Sequence, residues 1–431
     1  MTLNATGIAL SLVNRFAGST LASRYKLRKP AERLAYHVTR TGFRLVASGQ
    51  QTLSKKRRTI TSATDSNNRQ LFDLSLSEEQ RLIIENTQRL AHTLREQAGQ
   101  AENAGYPTKD VLAESEALGL NLFVLPEAWG GISSEAPAET MTLITEQLAW
   151  GDMGQAMALL APTACLSAIS RWGGASLQAQ WLPRFAEGQF LPAAMAIHEN
   201  NIDFSPEQAR CTATRHRKGY RLNGQKTLVP LAQTAEFFLV SARINKNTPA
   251  LFLVERETKG LQIDTAPAMG LRSAGFGTLT LSNVQLSPDA CLDHNFQTDG
   301  WLSRSRIAAS ALACGTSQAV VDFTIPYCNE RQAFGEPISH RQGVAFLLAD
   351  MATELDGMRL MSWRAASRCD HQLSYNREAW LAHTQCSDKG MMIGTHGVQL
   401  LGGHGFVKEY PVERWYRDLR AISLLSGSLL A

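Results

Sequence analysis

The sequence predicts an α+β fold in which an N-terminal helical domain, a middle β-domain and a C-terminal helical bundle follow one another along the chain. Three changes of pattern carry this prediction. Apolar residues recur at helical spacing from Leu74, the period becomes two after about Leu191, and helical spacing returns at Ser303 and continues to the last residue. We therefore expect a basic extension and linker over residues 1–68, followed by domains over 69–190, 191–298 and 299–431.

Composition indicates a globular protein with several packed subdomains. The 431 residues are 44% hydrophobic and 19% charged, which is ordinary for an enzyme, and one small core does not organise so long a chain. We find no apolar run of the ~18 residues that a membrane-spanning helix needs, and we assign residues 156–169 to the core. The seven cysteines are scattered without a CxxC pair, so they predict buried thiols in a reducing compartment rather than disulfides or a zinc site.

The positive charge is concentrated at one end. Twelve Lys or Arg residues against the single acid Glu32 give residues 1–64 a charge of +11, so the net charge of +4 leaves −7 for the remaining chain. Residues 27–46 have basic amphipathic spacing, which is typical of a peripheral membrane anchor, a transit peptide or a docking helix. The expected location is the cytoplasm, with membrane contact through residues 1–60, and the alternative is the mitochondrial matrix.

The first helical domain begins with a start signal. Ser77 supplies a hydroxyl for the unpaired N–H groups of a first turn, and Glu78 and Glu79 follow where acids favour the helix dipole. Further helices are expected over residues 109–118, 136–149 and 153–172, with a Pro- and Gly-containing loop at 125–131 between them.

Period-two patterning indicates the β-domain. Apolar strands are expected at residues 220–226, 237–240, 251–254 and 279–281, and Asn223-Gly224 predicts a hairpin turn within the first of them. The C-terminal helices are expected over residues 303–327, 342–369 and 378–401, with a Gly-rich break at 402–405.

Four segments carry a resemblance to a known family. They read PEAWGG at 126–131, NGQK at 223–226, RQAFG at 331–335 with Ile338 and Gln342 beyond, and QLLGGHGF at 399–406 followed by PVE at 411–413 and RD at 417–418. Each is weak alone, but their order and spacing are specific. From about Leu74 to its end the chain resembles the acyl-CoA dehydrogenase family of flavoproteins, which implies the same helical, β and helical order.

The resemblance implies an FAD site shared across a dimer interface. It assigns to that site Arg331, Phe334, Gln342, Gln399, Gly402 and Gly403. A guanidinium offers a fixed fork of donors and an amide both donates and accepts, which suits pyrophosphate and adenosine oxygens, and paired glycines let the backbone approach a ligand. The structural alternatives are a helix-end salt bridge for Arg331 and a helix cap for the glycines.

The segments expected at the flavin ring depart from the family pattern. Where relatives carry TEPxxGSD, residues 198–205 read HENNIDFS, so only Glu199 agrees. Where relatives carry WIT, residues 228–230 read LVP, and Pro230 has no N–H to offer. His198 is a candidate hydrogen-bond donor to the ring, and a purely structural histidine is the alternative.

The catalytic base of the family is also replaced. Dehydrogenation removes an α-proton from the acyl-CoA while hydride leaves the β-carbon for the flavin, so the protein must supply a base. This chain has Ser426 at the position of the usual glutamate and Ser305, beside Arg306, at an alternative position. Losing a positioned base costs roughly 10²–10⁴ in rate. Glu199 and Glu354 are candidate substitutes, and Ser305 and Arg306 are expected to meet the thioester or its CoA.

The resemblance therefore implies an FAD-dependent acyl-CoA dehydrogenase whose activity is weak or depends on a partner. The expected partners are acyl-CoA, an electron-accepting flavoprotein, and other chains in a homodimer, a homotetramer or a heteromer with a catalytic relative. Many relatives continue through another helix beyond the position of Ser428, so part of the usual flavin cradle is expected to be missing or to be supplied by a partner chain.

Two other functions remain open at the level of sequence. One is a non-catalytic subunit that binds acyl-CoA or FAD, and the other is a flavin-dependent monooxygenase on the same fold. The sequence contains no phosphate-loop, HExxH or GxSxG motif. No nucleic-acid partner is expected, because the basic extension lacks the interleaved aromatic residues of such surfaces.

Overall fold

The computed structural model describes residues 74–132, 137–201, 204–245, 248–292 and 296–431. The basic extension, with the membrane and targeting roles predicted for it, lies outside these residues. The first described part consists of helices α1 (Glu78–Ala104), α2 (Lys109–Leu118), α3 (Pro137–Gly151), α4 (Met153–Trp172) and α5 (Ala175–Ala186). Ser77 caps α1 as predicted: its hydroxyl accepts from Gln80 N, and the Gln80 side chain accepts from Ser77 N.

Helix α4 lies in the core of the helical part. Its residues from Met153 to Ile169 are all buried, because the helix is apolar on every side. In the described ranges it is the one helix long and apolar enough to cross a membrane, and 94% of that apolar window is buried inside the protein. This burial agrees with the core assignment made from the sequence.

The middle part is a sheet with the strand order β6-β7-β3-β2-β4-β5-β8, and β1 pairs in parallel with β4. The strands are β1 (Ala193–Ala196), β2 (Thr212–His216), β3 (Gly219–Val229), β4 (Phe237–Ile244), β5 (Thr248–Glu255), β6 (Leu261–Thr265), β7 (Gly277–Leu286) and β8 (Cys291–Leu292). Strand β4 is buried on both faces. Phe237 and Leu239 join the core of the helices, and Phe238 and Val240 join a second core within the sheet. The alternation of side chains along one strand therefore attaches the β-domain to the helices.

The predicted hairpin turn at Asn223-Gly224 is wrong. Both residues lie inside β3, where the register shifts between Leu222 and Gly224. Gly224 has φ +148°, and a Cβ there would lie 2.8 Å from Cys211 Cα. The glycine therefore permits a close strand contact at a bulge and does not form a turn.

The C-terminal part is a bundle around the long helix α6 (Thr298–Glu330). Helices α7 (Gln342–Asp370), α8 (Asn376–Leu401) and α9 (Val412–Leu419) pack against it. The short antiparallel strands β9 (Gln332–Ala333) and β10 (Glu336–Pro337) connect α6 to α7. All seven cysteines are free and buried, in agreement with the sequence prediction.

A buried ion pair stabilises the centre of the β-domain. Lys226 is fully buried, and its Nζ donates to Glu199 Oε1 at 2.8 Å, Ser241 Oγ at 2.9 Å and Ile197 O at 3.0 Å. Glu199 also accepts from the backbone N–H groups of Arg210 and Cys211. All three ammonium donors are therefore satisfied, which offsets the cost of taking the charge out of water.

Lys226→Met is expected to lower the free energy of unfolding by about 3–5 kcal/mol, since it leaves Glu199 buried without its cation. Urea unfolding followed by circular dichroism measures the change. The matched control is Lys218→Met on an exposed turn, which should change stability by less than about 0.5 kcal/mol. Equal effects of the two substitutions would contradict the assignment.

Candidate functional site

A pocket of about 170 Å³ lies where the β-domain meets the C-terminal helices. It is lined by His198, Leu228, Ala268, Met269, Gly270, Leu271, Phe276, Arg417, Arg420, Ala421, Leu424 and Leu425. Among these described lining residues there is no Asp or Glu. The pocket therefore suits an apolar or anionic group, and its lining contains no carboxylate that could accept a proton from a ligand.

The loop on the β-domain side of the pocket is held by two buried carboxylates. Leu271 N donates to Asp418 Oδ1 at 2.6 Å, and Ser273 Oγ donates to Asp152 Oδ1 at 2.9 Å. Leu271 has φ +54°, which is uncommon for a residue with a side chain. A Cβ at Gly270 would lie 2.3 Å from Arg417 O, so only glycine fits there. Residues 269–273 are thus in direct contact with the RD segment at 417–418, which spacing along the chain did not reveal.

Burial raises the pKa of both carboxyl groups that hold this loop. Desolvation first, and then repulsion from Asp152, raises the pKa of Asp418 to about 7. Desolvation also raises the pKa of Asp152, against the attraction of Arg414, whose Nε lies 3.4 Å from Asp152 Oδ2. The carboxyl group that holds Leu271 therefore titrates near neutral pH.

His198 is the titratable base that faces the pocket. Its ring lies 5.3 Å from that of Phe204, and its Nε2 is buried without a hydrogen-bond partner among the described residues. Burial, and to a smaller extent the charge of Lys226, lowers the pKa of His198 to about 4. The imidazole is therefore neutral at pH 7, with one buried ring nitrogen left for a ligand.

The two serines that the sequence predicts at the family's base positions lie close to one turn, formed by residues 425–427. Ser305 Oγ accepts from Gly427 N at 2.6 Å and lies 3.3 Å from Leu425 O, to which it donates. Ser305 is fully buried, whereas Ser426 is half-buried and follows Leu425, which lines the pocket. Ser305 thus uses its hydroxyl to fix the turn that carries Ser426. Arg306 lies near His383, where its charge helps lower the pKa of that imidazole after the larger effect of burial.

The two glutamates proposed as substitute bases are engaged elsewhere. Glu199 binds Lys226 and two backbone N–H groups. Glu354 accepts from Gln385 Nε2 at 3.0 Å and lies 3.3 Å from Lys389 Nζ, between α7 and α8. Neither lines the pocket.

The residues assigned to the nucleotide lie at the far end of α6. Arg331 follows its last turn, Gln342 begins α7, and both are exposed. Tyr327 links this end to the Gly-rich segment, because its hydroxyl lies 2.8 Å from His404 Nδ1. Gln399, Gly402 and Gly403 are exposed beside it. The structure therefore brings the predicted nucleotide residues together on one surface.

Gly402, Gly403 and Phe334 are exposed, so a ligand or a second protein surface can reach them. Gly402 caps α8, as the structural alternative states, yet a Cβ at Gly402 or Gly403 would meet no atom within 4 Å. Phe334 is 95% exposed at the tip of the β9–β10 hairpin, and Phe406 is 87% exposed. Arg331 forms no helix-end salt bridge with the residues that the structure describes.

The residues assigned to the substrate and to the nucleotide lie at opposite ends of one helix. Arg306 and Arg331 are 25 positions apart, which at about 1.5 Å per residue is about 37 Å. The residues of each cluster fit their part of FAD: donors and open glycine backbone for phosphates, and an apolar pocket with an unpaired imidazole nitrogen for the ring.

Sequence patterns missed part of this site. The positions of Leu424, Leu425 and Phe276 depend on how the β-domain packs against α9, and no local motif marks them. Leu228 was noticed as a departure from the family, and it does line the pocket.

The raised pKa of Asp418 predicts a pH-dependent stability. Because the folded value lies above the ordinary value of 3.8, its contribution is complete below about pH 4 and is lost as pH rises through 7. Between pH 5 and 8 the unfolding free energy of the natural protein should fall by roughly 1–3 kcal/mol more than that of Asp418→Asn, which keeps an acceptor for Leu271 N. Chemical unfolding at each pH measures this slope. Asp289→Asn, at an exposed position, should leave the slope unchanged, and the same slope in Asp418→Asn would refute the prediction.

Comparison with known proteins agrees with this architecture. The N-terminal, middle and C-terminal domains of acyl-CoA dehydrogenases match residues 77–189, 194–284 and 296–429. Cyclohex-1-ene-1-carbonyl-CoA dehydrogenase of Geobacter metallireducens is 31% identical over 82% of this chain and 95% of its own length. The mouse mitochondrial short-chain specific acyl-CoA dehydrogenase is 30% identical over 75% of this chain and 80% of its own.

Comparison with solved structures also matches this chain to acyl-CoA dehydrogenases. A glutaryl-coenzyme A dehydrogenase in complex with glutaryl-CoA superimposes with a TM-score of 0.75 and 25% identity, over 81% of this chain and 92% of that one. FAD is the cofactor of the family, so the predicted fold, family and cofactor are confirmed. The chain belongs to the acyl-CoA dehydrogenase family of flavoproteins.

Proposed function

We propose that this protein is an FAD-dependent oxidoreductase that binds an acyl-CoA thioester and acts on its CH–CH bond, with dehydrogenation that is weak or depends on a partner. The observation that carries the proposal is a pocket at the expected flavin position whose described lining contains no carboxylate. When bound, the flavin supplies the acceptor for the hydride that leaves the substrate. The protein must bind and orient the substrate and supply a base, and the described lining of the pocket contains no carboxylate that could be that base.

The proposed assembly joins the nucleotide residues of one copy of the chain to the pocket of another copy. Arg331, Gln342, Gln399 and the glycine pair of one chain would hold the pyrophosphate and adenosine of an FAD whose ring lies in the pocket of another. The exposed rings of Phe334 and Phe406 support an interface at this surface, because large apolar side chains with such exposure usually meet a second surface. A homodimer or homotetramer satisfies this requirement.

The missing base limits the chemistry. A serine hydroxyl is far too weak a base to take the α-proton unless a second group activates it. Ser305 is already committed to the 425–427 turn, and Glu199 and Glu354 are paired elsewhere. Weak turnover by Ser426, or a heteromer in which a Glu-bearing relative performs the reaction, fits this arrangement. Arg306 would orient the thioester or CoA.

The partner and the location complete the proposal. An electron-accepting flavoprotein would reoxidise the cofactor. We place the protein in the cytoplasm, with residues 1–60 as the segment that contacts a membrane, and the mitochondrial matrix is the alternative.

One observation favours a second candidate, a flavin-dependent monooxygenase. His198 places a neutral imidazole with an unpaired nitrogen at the pocket, and no described carboxylate competes with it. Oxygen consumption with externally reduced flavin, without loss of flavin absorbance on adding acyl-CoA, would favour this function. A colourless protein that takes up no added FAD would refute both functions.

Arg331→Ala is expected to weaken FAD binding by roughly 10–100-fold, because a charge-assisted hydrogen bond to the pyrophosphate is lost. Quenching of flavin fluorescence on titration of the apoprotein measures the affinity. Arg377→Ala, an exposed arginine at the start of α8, is the control and should bind FAD normally. Equal affinity in both variants would contradict the assigned nucleotide surface.

Ser426→Glu is expected to raise the rate of flavin reduction by a short acyl-CoA at least tenfold, because it restores a carboxylate base where the family carries one. Anaerobic stopped-flow measurement of the flavin absorbance gives this rate. Ser426→Gln adds the same volume without a base and should give no gain. If the glutamate variant is no faster than the glutamine variant, Ser426 is not at the base position.

A further inference from the structure

We propose that Trp301 closes the acyl end of the site, so that this protein accepts only short acyl groups. The inference rests on the proposed function, because it concerns the substrate of that same pocket. It depends on how the first turns of α6 pack against the segment that carries Ser426.

Trp301 packs directly against the turn of residues 425–427, which carries Ser426. Its Nε1 donates to Gly427 O at 3.1 Å, and its indole is 1% exposed. Gly427 has φ +89°, and a Cβ there would lie 2.7 Å from Trp301 Cζ2 and 3.0 Å from Ile197 Cγ2. The turn therefore lies flat against the indole, with no space between them for another group.

Two further aromatic rings pack in a row from Trp301 to the end of α4. The Phe296 ring lies 5.8 Å from that of Trp301, and the Trp172 ring lies 5.2 Å from that of Phe296, edge to face. The end of the chain packs here as well, since Leu429 and Leu430 are 3% and 6% exposed. The space behind the turn is thus occupied by the protein's own apolar side chains.

Helices α4 and α6 are in contact, and most of their residues near the middle of each helix are buried. Side chains that border a cavity large enough for water keep some accessible surface. Ala164 on α4 has none, and Ala309 on α6 is 1% exposed. Neither residue therefore borders a water-sized space.

The size of the pocket agrees with this closure. Its volume of about 170 Å³ is below the roughly 300–1,000 Å³ that is usual for a ligand site. Because the flavin ring is assigned to that same space, the pocket leaves no room beside Leu424 and Leu425 for a long acyl tail.

The test compares butyryl-CoA with octanoyl-CoA by isothermal titration of the FAD-loaded protein. The natural protein should bind butyryl-CoA at least about tenfold more tightly, since each misplaced methylene costs about that much in a closed apolar pocket. Trp301→Ala should remove this preference. Trp301→Phe, which loses the Gly427 hydrogen bond but keeps most of the ring volume, should retain it.

Trp181→Ala is the matched control, because it truncates a buried indole that packs on Phe237 in the β-domain, away from the turn. It should leave the butyryl-to-octanoyl ratio unchanged. Equal affinity of the natural protein for both thioesters overturns the inference, whether or not the variants fold. Failure to bind either thioester, with FAD still bound, instead overturns the proposed acyl-CoA function and the inference with it.

Discussion

The length of helix α6 is the constraint on which the arrangement of the predicted site residues depends. The helix places Arg306 and Arg331 about 37 Å apart. At one end Ser305 holds the turn that carries Ser426, and at the other end lie the exposed Phe334 and the open glycine surface. The assembly that we propose would join the two ends of different copies of the chain in one cofactor site.

Buried hydrogen bonds and a buried ion pair hold the segments that form the walls of the pocket. Asp418 and Asp152 hold the loop at Leu271 and Ser273 through hydrogen bonds, although burial penalises both charges. The pair formed by Lys226 and Glu199 places His198 next to the pocket. In each case the desolvation cost is offset by hydrogen bonds that form only with the correct packing. Such contacts define the position of a loop more strictly than apolar packing does.

The turn that carries Ser426 is closely packed on the side of α6. Where the family resemblance implies a carboxylate, this chain has a small hydroxyl. Ser305 binds the turn through its backbone groups, and Trp301 fills the space behind it. The position of Ser426 therefore depends on contacts that Ser305 and Trp301 make with its neighbours in the chain.

The sequence alone determined the fold class, the family and the approximate bounds of most helices and strands. Local periodicity, the cap at Ser77 and the order of four motifs carry that information, because they depend on neighbours along the chain. The Asn223-Gly224 pair was misread, since a bulge and a hairpin turn both use glycine, and only the contact with Cys211 distinguishes them. Only the tertiary structure decided that Ser305 holds the turn, that Glu199 and Glu354 are engaged, and that Trp301 packs against the turn that carries Ser426. These outcomes depend on contacts between residues from 27 to 126 positions apart, and local sequence patterns do not encode such contacts.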